Sequence, residues 1–544
     1  MKKLNLFLIF VMIFIILGGC GPKISDDGQY VPPDREVISI QINDGGNGIE
    51  WIKKAAEDFN ALPENSDYFV IIKPVAEDKI ADIKISIESG VSANDAYFTS
   101  EPNIKSIISA DLLVDMKDFA QTTKVPGEDV TIMEKLRDPE DVLTTFSNYG
   151  EGLYGIPYAN GFAGFVFDYQ LFEEKGWLFY DMENGQEILS KGPDGVAGTY
   201  DDGQPRNMTE WQQLIDNIAS KANTYPFIFN TKYPNYLTSI VDAILAQYSG
   251  IDGYKTFINY EGSFTDADGN TVTVTPQTGY KVYDLPGLEK GVSFLDTYLT
   301  NNQSYVFPRS WKTTETSHRD AQNSFLIGYR QSTQAPLAAM LFEGTWWENE
   351  AKPMFDSLVK NGQPERGYGK RDYRFMMFPA MEGQKGIDGT GHGSVFNCME
   401  AGAAFVVKNE KDAEKQQKVL DFIAYTCKDE YLQLFTIISG SIRPYNYTLS
   451  EEQLSKMTPF QNNVWQIYND TENVRLIRTN FDSNASPFYY DSSKSVRYYT
   501  YIEAGYPTIF KAAERHNAQE LLQSMRSYNA TNWSKYYSEV ADKL

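Results

Sequence analysis

The chain has 544 residues, more than one hydrophobic core ordinarily organises, so two or more lobes are expected. A formal net charge of −24 argues against nucleic acid, which needs a basic patch, and against acidic polysaccharides. Aromatic residues make up 14% of the chain, with tyrosine the most frequent, which suits stacking of rings on apolar sugar faces.

The chain opens with Lys2 and Lys3, an apolar run from Leu4 to Leu17, then Gly18, Gly19 and Cys20. The run is too short to span a bilayer comfortably, and small residues close it, as in a signal peptide. Leu17-Gly18-Gly19-Cys20 resembles the lipobox of bacterial lipoproteins. That resemblance implies removal of residues 1–19, a diacylglycerol on the Cys20 thiol and a location on the outer face of the cell membrane. Residues 20–35, rich in Gly, Pro, Ser and Asp, read as a flexible tether.

Beyond the tether, strand-like runs alternate with amphipathic helices, the pattern of an α/β protein. Val37–Asn43 reads as a strand, followed by a Gly-rich turn at Asp44–Gly48 and a helix with Ile49, Ile52, Ala56 and Phe59 on its apolar stripe. Ser100 is placed to cap a helix whose buried face is Ile104, Ile107, Ile108 and Leu112. Thr209 and Gln212 form a capping-box pattern that opens a helix with Trp211 on its core face.

Two stretches read as surface insertions, 178–207 and 258–285; the second contains a predicted hairpin around Asp266-Ala-Asp-Gly-Asn. In the first, Asp194, Asp201 and Asp202 cluster around glycines, which suits either a calcium ion, the one cofactor in view, or a solvated acidic turn. No cofactor is required by any other pattern. His318, His392 and His516 have no zinc-site spacing. Cys427 shares a helical face with Ala413, Leu420, Ile423 and Ala424, which predicts a buried thiol, with a Cys398–Cys427 disulfide as the alternative.

The segment Glu151–Trp177 (EGLYGIPYANGFAGFVFDYQLFEEKGW) resembles family 1 extracellular solute-binding proteins of carbohydrate ABC transporters. Further matches follow in order: Met208–Trp211, LAAMLFEGTWW at Leu337–Trp347, Met377–Ala380, Gly402–Tyr431 and SGSIRPY at Ser439–Tyr445. The resemblance spans nearly the whole chain beyond the tether. It implies a two-lobed, periplasmic-binding-protein-like α/β fold with a hinge and an interlobe cleft. Lobe one would take 36–158 plus 400–443, and lobe two 162–396 plus 450–544. The implied function is capture of a sugar or oligosaccharide by a monomer and its delivery to the permease of an ABC importer. The same fold would also suit a peptide, polyamine or anion.

Ligands of such lobes gather beyond the carboxyl ends of strands. Asp44 ends the first strand, and Trp51 lies off the apolar stripe of the next helix, facing the cleft or packed beside it. Ser100 and Glu101 would bind hydroxyls or serve a helix N-terminus. Tyr158 and Asn160 lie in the first crossing segment. The family places a stacking tryptophan where Trp346 and Trp347 stand, and the sequence leaves open which of the two turns inward. Arg443 in the last crossing would bind ligand or pair across the hinge; His392, Ser394 and Asn397 are secondary candidates near another crossing. No nucleophile elbow, metal cluster or phosphate loop points to an enzyme, and a surface-anchored glycoside hydrolase or lyase is the rival reading.

Overall fold

The computed structural model describes residues 23–24, 30–75, 83–90, 93–100, 104–148, 151–233, 235–300, 302–313, 315–328, 336–478 and 517–541. Cys20, its apolar leader and Glu101 lie outside the described residues. No described helix is long and apolar enough to cross a membrane.

Strand β1 (Glu36–Asn43) buries Ile38, Ile40 and Ile42, as its alternation predicts. Helix α1 (Glu50–Asn60) buries Ile52, Ala56 and Phe59, and also Trp51 and Ala55, which stand one turn apart and widen the apolar face. Strands β2 (Tyr68–Val75) and β3 (Ala96–Thr99) pair parallel on either side of β1. The helix expected after Ser100 is shorter than its pattern, ending at Ser109 and leaving Leu112 beyond it. Helix α2 (Pro139–Phe146) then leads to β4 (Ile156–Asp168), which is buried along all 13 residues.

Helix α3 (Met208–Ala219) is capped two residues earlier than the capping-box reading implies. The Asn207 side-chain oxygen accepts from the Thr209 and Glu210 N–H groups at 3.0 and 3.1 Å, and Trp211 is buried behind it. There follow β5 (Thr224–Ile228), α4 (Asn235–Asn259, broken at Gly250), α5 (Pro286–Phe294), α6 (His318–Ile327), β6 (Leu337–Gly344) and β7 (Tyr373–Met376). Strand β8 (Ser394–Val406) returns through the molecule, followed by α7 (Ala413–Thr426), α8 (Asp429–Ser439), α9 (Pro459–Asn469), β9 (Val474–Ile477) and α10 (Ala518–Val540).

These nine strands form one mixed sheet in the order β2-β1-β3-β8-β4-β6-β5, with β7 on β4 and β9 on β8. Strands β4 and β8, 13 residues each, reach about 43 Å and serve both lobes without a break. The first half of β4 pairs with Ala401–Ala404 of β8, while its second half pairs with β6 and β7. One core gathers Ile40, Trp51, Phe98, Tyr158, Phe405, Phe422 and Phe435. Two others flank the far half of the sheet, one around Phe165, Trp211, Phe342 and Trp533, the other around Phe162, Trp347, Phe375 and Phe460.

Both predicted insertions carry hairpins, at Tyr180–Glu183 with Gln186–Leu189 and at Gly262–Thr265 with Thr271–Val274. The second is more than a surface insertion: Phe264, Val274, Val282 and Tyr283 join the core, where Trp533 of α10 donates to the Pro276 carbonyl at 2.8 Å. The two described cysteines are free thiols, so no Cys398–Cys427 disulfide forms. Cys427 is buried, and its thiol donates to the Ile423 carbonyl at 3.4 Å.

Candidate functional site

The crossing strands meet with two register shifts that decide which side chains reach the cleft. Strand β8 carries an extra residue, Met399, between the pairs Cys398–Phe162 and Glu400–Gly161. Strand β4 carries one, Tyr158, between the pairs Ala159–Gly402 and Pro157–Ala403. A bulge resets the alternation of faces. Tyr158, Met399 and Glu400 therefore line one cavity of about 250 Å³, while Asn160 and Cys398 line a second on the opposite side of the sheet.

The cleft cavity forms where several strands end. Asn43 ends β1, with Gly45, Gly46 and Asn47 following it, and Thr99 ends β3, with Ser100 following it. From the other lobe come Asn235 and Tyr236 at the start of α4, His318 at the start of α6, and Trp346 and Glu350 after β6. The lobes touch directly beside it. The Asn349 amide donates to the Gly46 carbonyl, and the Thr345 and Ser441 hydroxyls are 3.0 Å apart.

Trp346 is the aromatic wall. A Cβ at Gly161 would fall 2.7 Å from its ring, and one at Gly46 would fall 2.6 Å from its own Cβ. Two glycines from the facing lobe and hinge thus make room for the indole. Trp347 points the other way, fully buried among Phe325, Phe355, Tyr373 and Phe460. Tyr158 stacks on Trp51 at 6.1 Å; burial, with the Glu400 carboxylate adding to it, pushes its phenol well above the ordinary value.

A polar network supports the lobe-two wall. His318 Nε2 lies 3.1 Å from Glu350 Oε1, and the Gln322 amide donates to Glu350 Oε2 at 2.7 Å. Burial opposes the Glu350 charge, but the His318 and Gln322 bonds outweigh it and hold that carboxyl below its usual range. Behind it, Glu343 is wholly buried. Burial, with the Glu350 charge adding, pushes its carboxyl up to about 8, so it carries a proton at neutral pH.

The sequence candidates separate accordingly. Ser100, Tyr158 and Trp346 come together around the cavity. Asp44 is exposed outside it, its N–H donating to the Val75 carbonyl at 2.9 Å, and the neighbouring Asn43 lines the cavity instead. Trp51 is buried rather than cleft-facing, sandwiched between Tyr158 and the Phe435 edge. Arg443 is buried too: its guanidinium lies 5.0 Å from the Trp51 ring and donates to the Thr426 carbonyl at 2.6 Å. Asn160 faces the back of the sheet, where Arg478 donates to it at 3.2 Å. His392 is exposed beyond the cleft, Ser394 donates to the Phe378 carbonyl at 3.1 Å, and Asn397 bonds to Asp242 at 3.4 Å.

In the acidic loop, Asp201 accepts the Asp194 N–H at 2.9 Å, Asp194 the Val196 N–H at 2.7 Å, and Asp202 the Gly198 N–H at 2.7 Å. Among the described residues no group of three or more acidic, His or Cys side chains is placed to hold a metal ion. Sequence reasoning missed Asn47, Glu400, His318 and Glu350. Their partners lie far along the chain, with Asn47 and Glu400 separated by 353 positions, so no local pattern joins them.

No family model matches the chain, and no curated protein matches it. Solved structures do match. A chitin oligosaccharide binding protein superposes with a TM-score of 0.58 at 14% identity, covering 92% of this chain and 100% of that one. A probable secreted solute-binding lipoprotein from Streptomyces coelicolor gives 0.57 at 10% identity, covering 91% and 99%. A Thermus thermophilus maltotriose binding protein, bound with maltotriose, gives 0.52 at 16% identity, covering 90% and 98%. The chain has the two-lobed α/β fold of solute-binding proteins.

Proposed function

We propose that this protein captures a sugar or oligosaccharide in the interlobe cleft and delivers it to the permease of an ABC importer. The observation that carries the reading is Trp346, an indole wall held open by glycines from the facing side and ringed by Asn43, Asn47, Ser100 and Glu400. An aromatic face with polar groups at its edge suits a pyranose, whose ring is apolar on its faces and hydroxylated at its rim. The chitin oligosaccharide and maltotriose named for two proteins of like fold belong to the same ligand class.

A ligand that contacts both lobes favours the closed arrangement by its differential affinity, and the importer would read that state. The protein acts as a monomeric receptor rather than an enzyme, held to the outer face of the membrane by a lipid on Cys20. Support for the anchor is the apolar leader that ends in Gly18-Gly19-Cys20. Calcium binding by the Asp194–Asp202 loop is a separate proposal, resting on the closeness of its three aspartates in sequence alone.

Isothermal titration and thermal unfolding with a panel of neutral oligosaccharides test the function. A ligand at a hundred times its Kd adds about 2.7 kcal/mol of stability. Unchanged melting with every glycan, beside a clear rise with peptides, would overturn the sugar assignment; turnover of a bound glycan would overturn the receptor reading.

A further inference from the structure

Two side-chain amides in the cleft have hydrogen-bonding capacity to spare. Both belong to the turn at the end of β1, and both line the cavity. The Asn47 N–H group donates to Glu400 Oε1 at 2.6 Å, which leaves Oδ1 as the free end of that amide. Asn47 is only 7% exposed, and its Oδ1 is buried without a hydrogen-bond partner. A buried acceptor left unpaired is costly, and a donor brought by a ligand recovers that cost.

Asn43 is unpaired at both ends. Its Oδ1 is buried without a partner, and its Nδ2 makes no hydrogen bond among the described residues. No bond fixes the orientation of this amide, so it can turn its N–H groups to an arriving acceptor. A Cβ at Gly45 would lie 3.5 Å from Asn43 Oδ1 and 3.6 Å from Nδ2, while one at the next residue, Gly46, would lie 2.6 Å from the Trp346 Cβ. One glycine turn thus carries the free amide and meets the indole wall. An acceptor at Asn47, a donor at Asn43 and an apolar plane at Trp346 bound the same cavity.

An acetamido group has three matching parts: an N–H that donates, a carbonyl that accepts and an apolar methyl. A hydroxyl in its place can also meet Asn47 Oδ1, but it brings neither carbonyl nor methyl. We propose that the cleft selects an N-acetylated amino sugar, with Asn47 Oδ1 accepting the amide N–H, Asn43 Nδ2 donating to the carbonyl and Trp346 covering the methyl. This rests on the saccharide reading above and narrows it, with Asn43 as the specificity-determining residue.

The test is calorimetric titration of the whole protein with matched pairs. N-acetylglucosamine, N-acetylgalactosamine and N-acetylmannosamine are set against glucose, galactose and mannose, and fully N-acetylated chitotriose against cellotriose. The members of each pair differ only at C2 of the ring. One net hydrogen bond and one buried methyl are each worth about severalfold in affinity, so an N-acetylated ligand should bind about tenfold or more tighter than its parent. Asn43→Ala should cut that ratio to about threefold or less, whereas Asn47→Ala should weaken both members of the pair. A tightest ligand without the acetamido group, or one matched by its parent, would overturn the amide selectivity and leave the sugar reading intact. An unchanged ratio in Asn43→Ala would overturn the role of Asn43. Binding of no member would overturn the selectivity as well, and the wider panel of neutral oligosaccharides then decides the sugar reading separately.

Discussion

Two polar, glycine-rich loops in this molecule use similar residues to opposite ends. In the loop at Asn43–Gly48, the amide oxygens of Asn43 and Asn47 are buried without partners beside a cavity. In the loop at Gly192–Gly203, each of the three aspartates accepts an N–H of the loop itself. Carboxylates that bind the N–H groups of their own loop build a turn, although Asp202 Oδ1 there is also left without a partner, whereas the two amide oxygens beside the cavity lie where something that arrives later can reach them. The tryptophan pair repeats the contrast on one peptide bond, with Trp347 filling a core and Trp346 walling the cleft.

The sharpest way to break the comparison is Gly192→Ala. Gly192 has a φ of +61°, and a Cβ there would lie 2.2 Å from the Asp201 carbonyl oxygen, so the variant should lose about 3 kcal/mol or more of stability in urea unfolding. Its ligand affinity should stay close to wild type; a weakened Kd at unchanged stability would reverse the roles of the loops. Asn47→Ala should do the opposite, weakening sugar binding by about tenfold in calorimetry, equivalent to about 1.4 kcal/mol, while melting stays near that of wild type.

A smaller effect separates the network behind the cleft from the cleft itself. The folded Glu343 carboxyl titrates near 8, above its ordinary value of 4.5. A raised folded value means that its contribution to stability is full below about 4.5 and is lost as pH rises through about 8. Glu343→Gln should therefore flatten the decline of melting temperature across that window. A decline of unchanged slope would remove Glu343 as its cause. The smallest effect concerns calcium. If the acidic loop takes the ion, millimolar calcium should raise the melting temperature by a degree or two and Asp202→Ala should abolish the rise. No rise at all leaves the loop as a self-closed turn.

Much of the fold was legible because its signals are local. The alternation of Ile38, Ile40 and Ile42 marks a strand, and the period of Trp211, Leu214, Ile215 and Ile218 marks a helix face. The site was legible only in part. Trp51 looked available because its neighbours in the fold, Tyr158, Phe435 and Arg443, are remote in sequence. Tyr158 and Asn160 looked equivalent because strict alternation puts both on one face, and a one-residue bulge, which has no residue signature here, parts them. Arg443 sits in the segment that resembles a hinge crossing, yet its charge is absorbed by an indole and a carbonyl in the interior.

The two extra residues of the crossing strands have a mechanical consequence. Tyr158 on β4 and Met399 on β8 lie where the strands pass from one lobe to the other, and a bulge bends a strand and raises its local twist. In a sheet continuous through both lobes, the angle between the lobes is therefore set in part at those two points. Both bulged residues also form part of the cavity wall. Whatever fills the cavity therefore touches the residues that set the bend between the lobes, with no linkage in between.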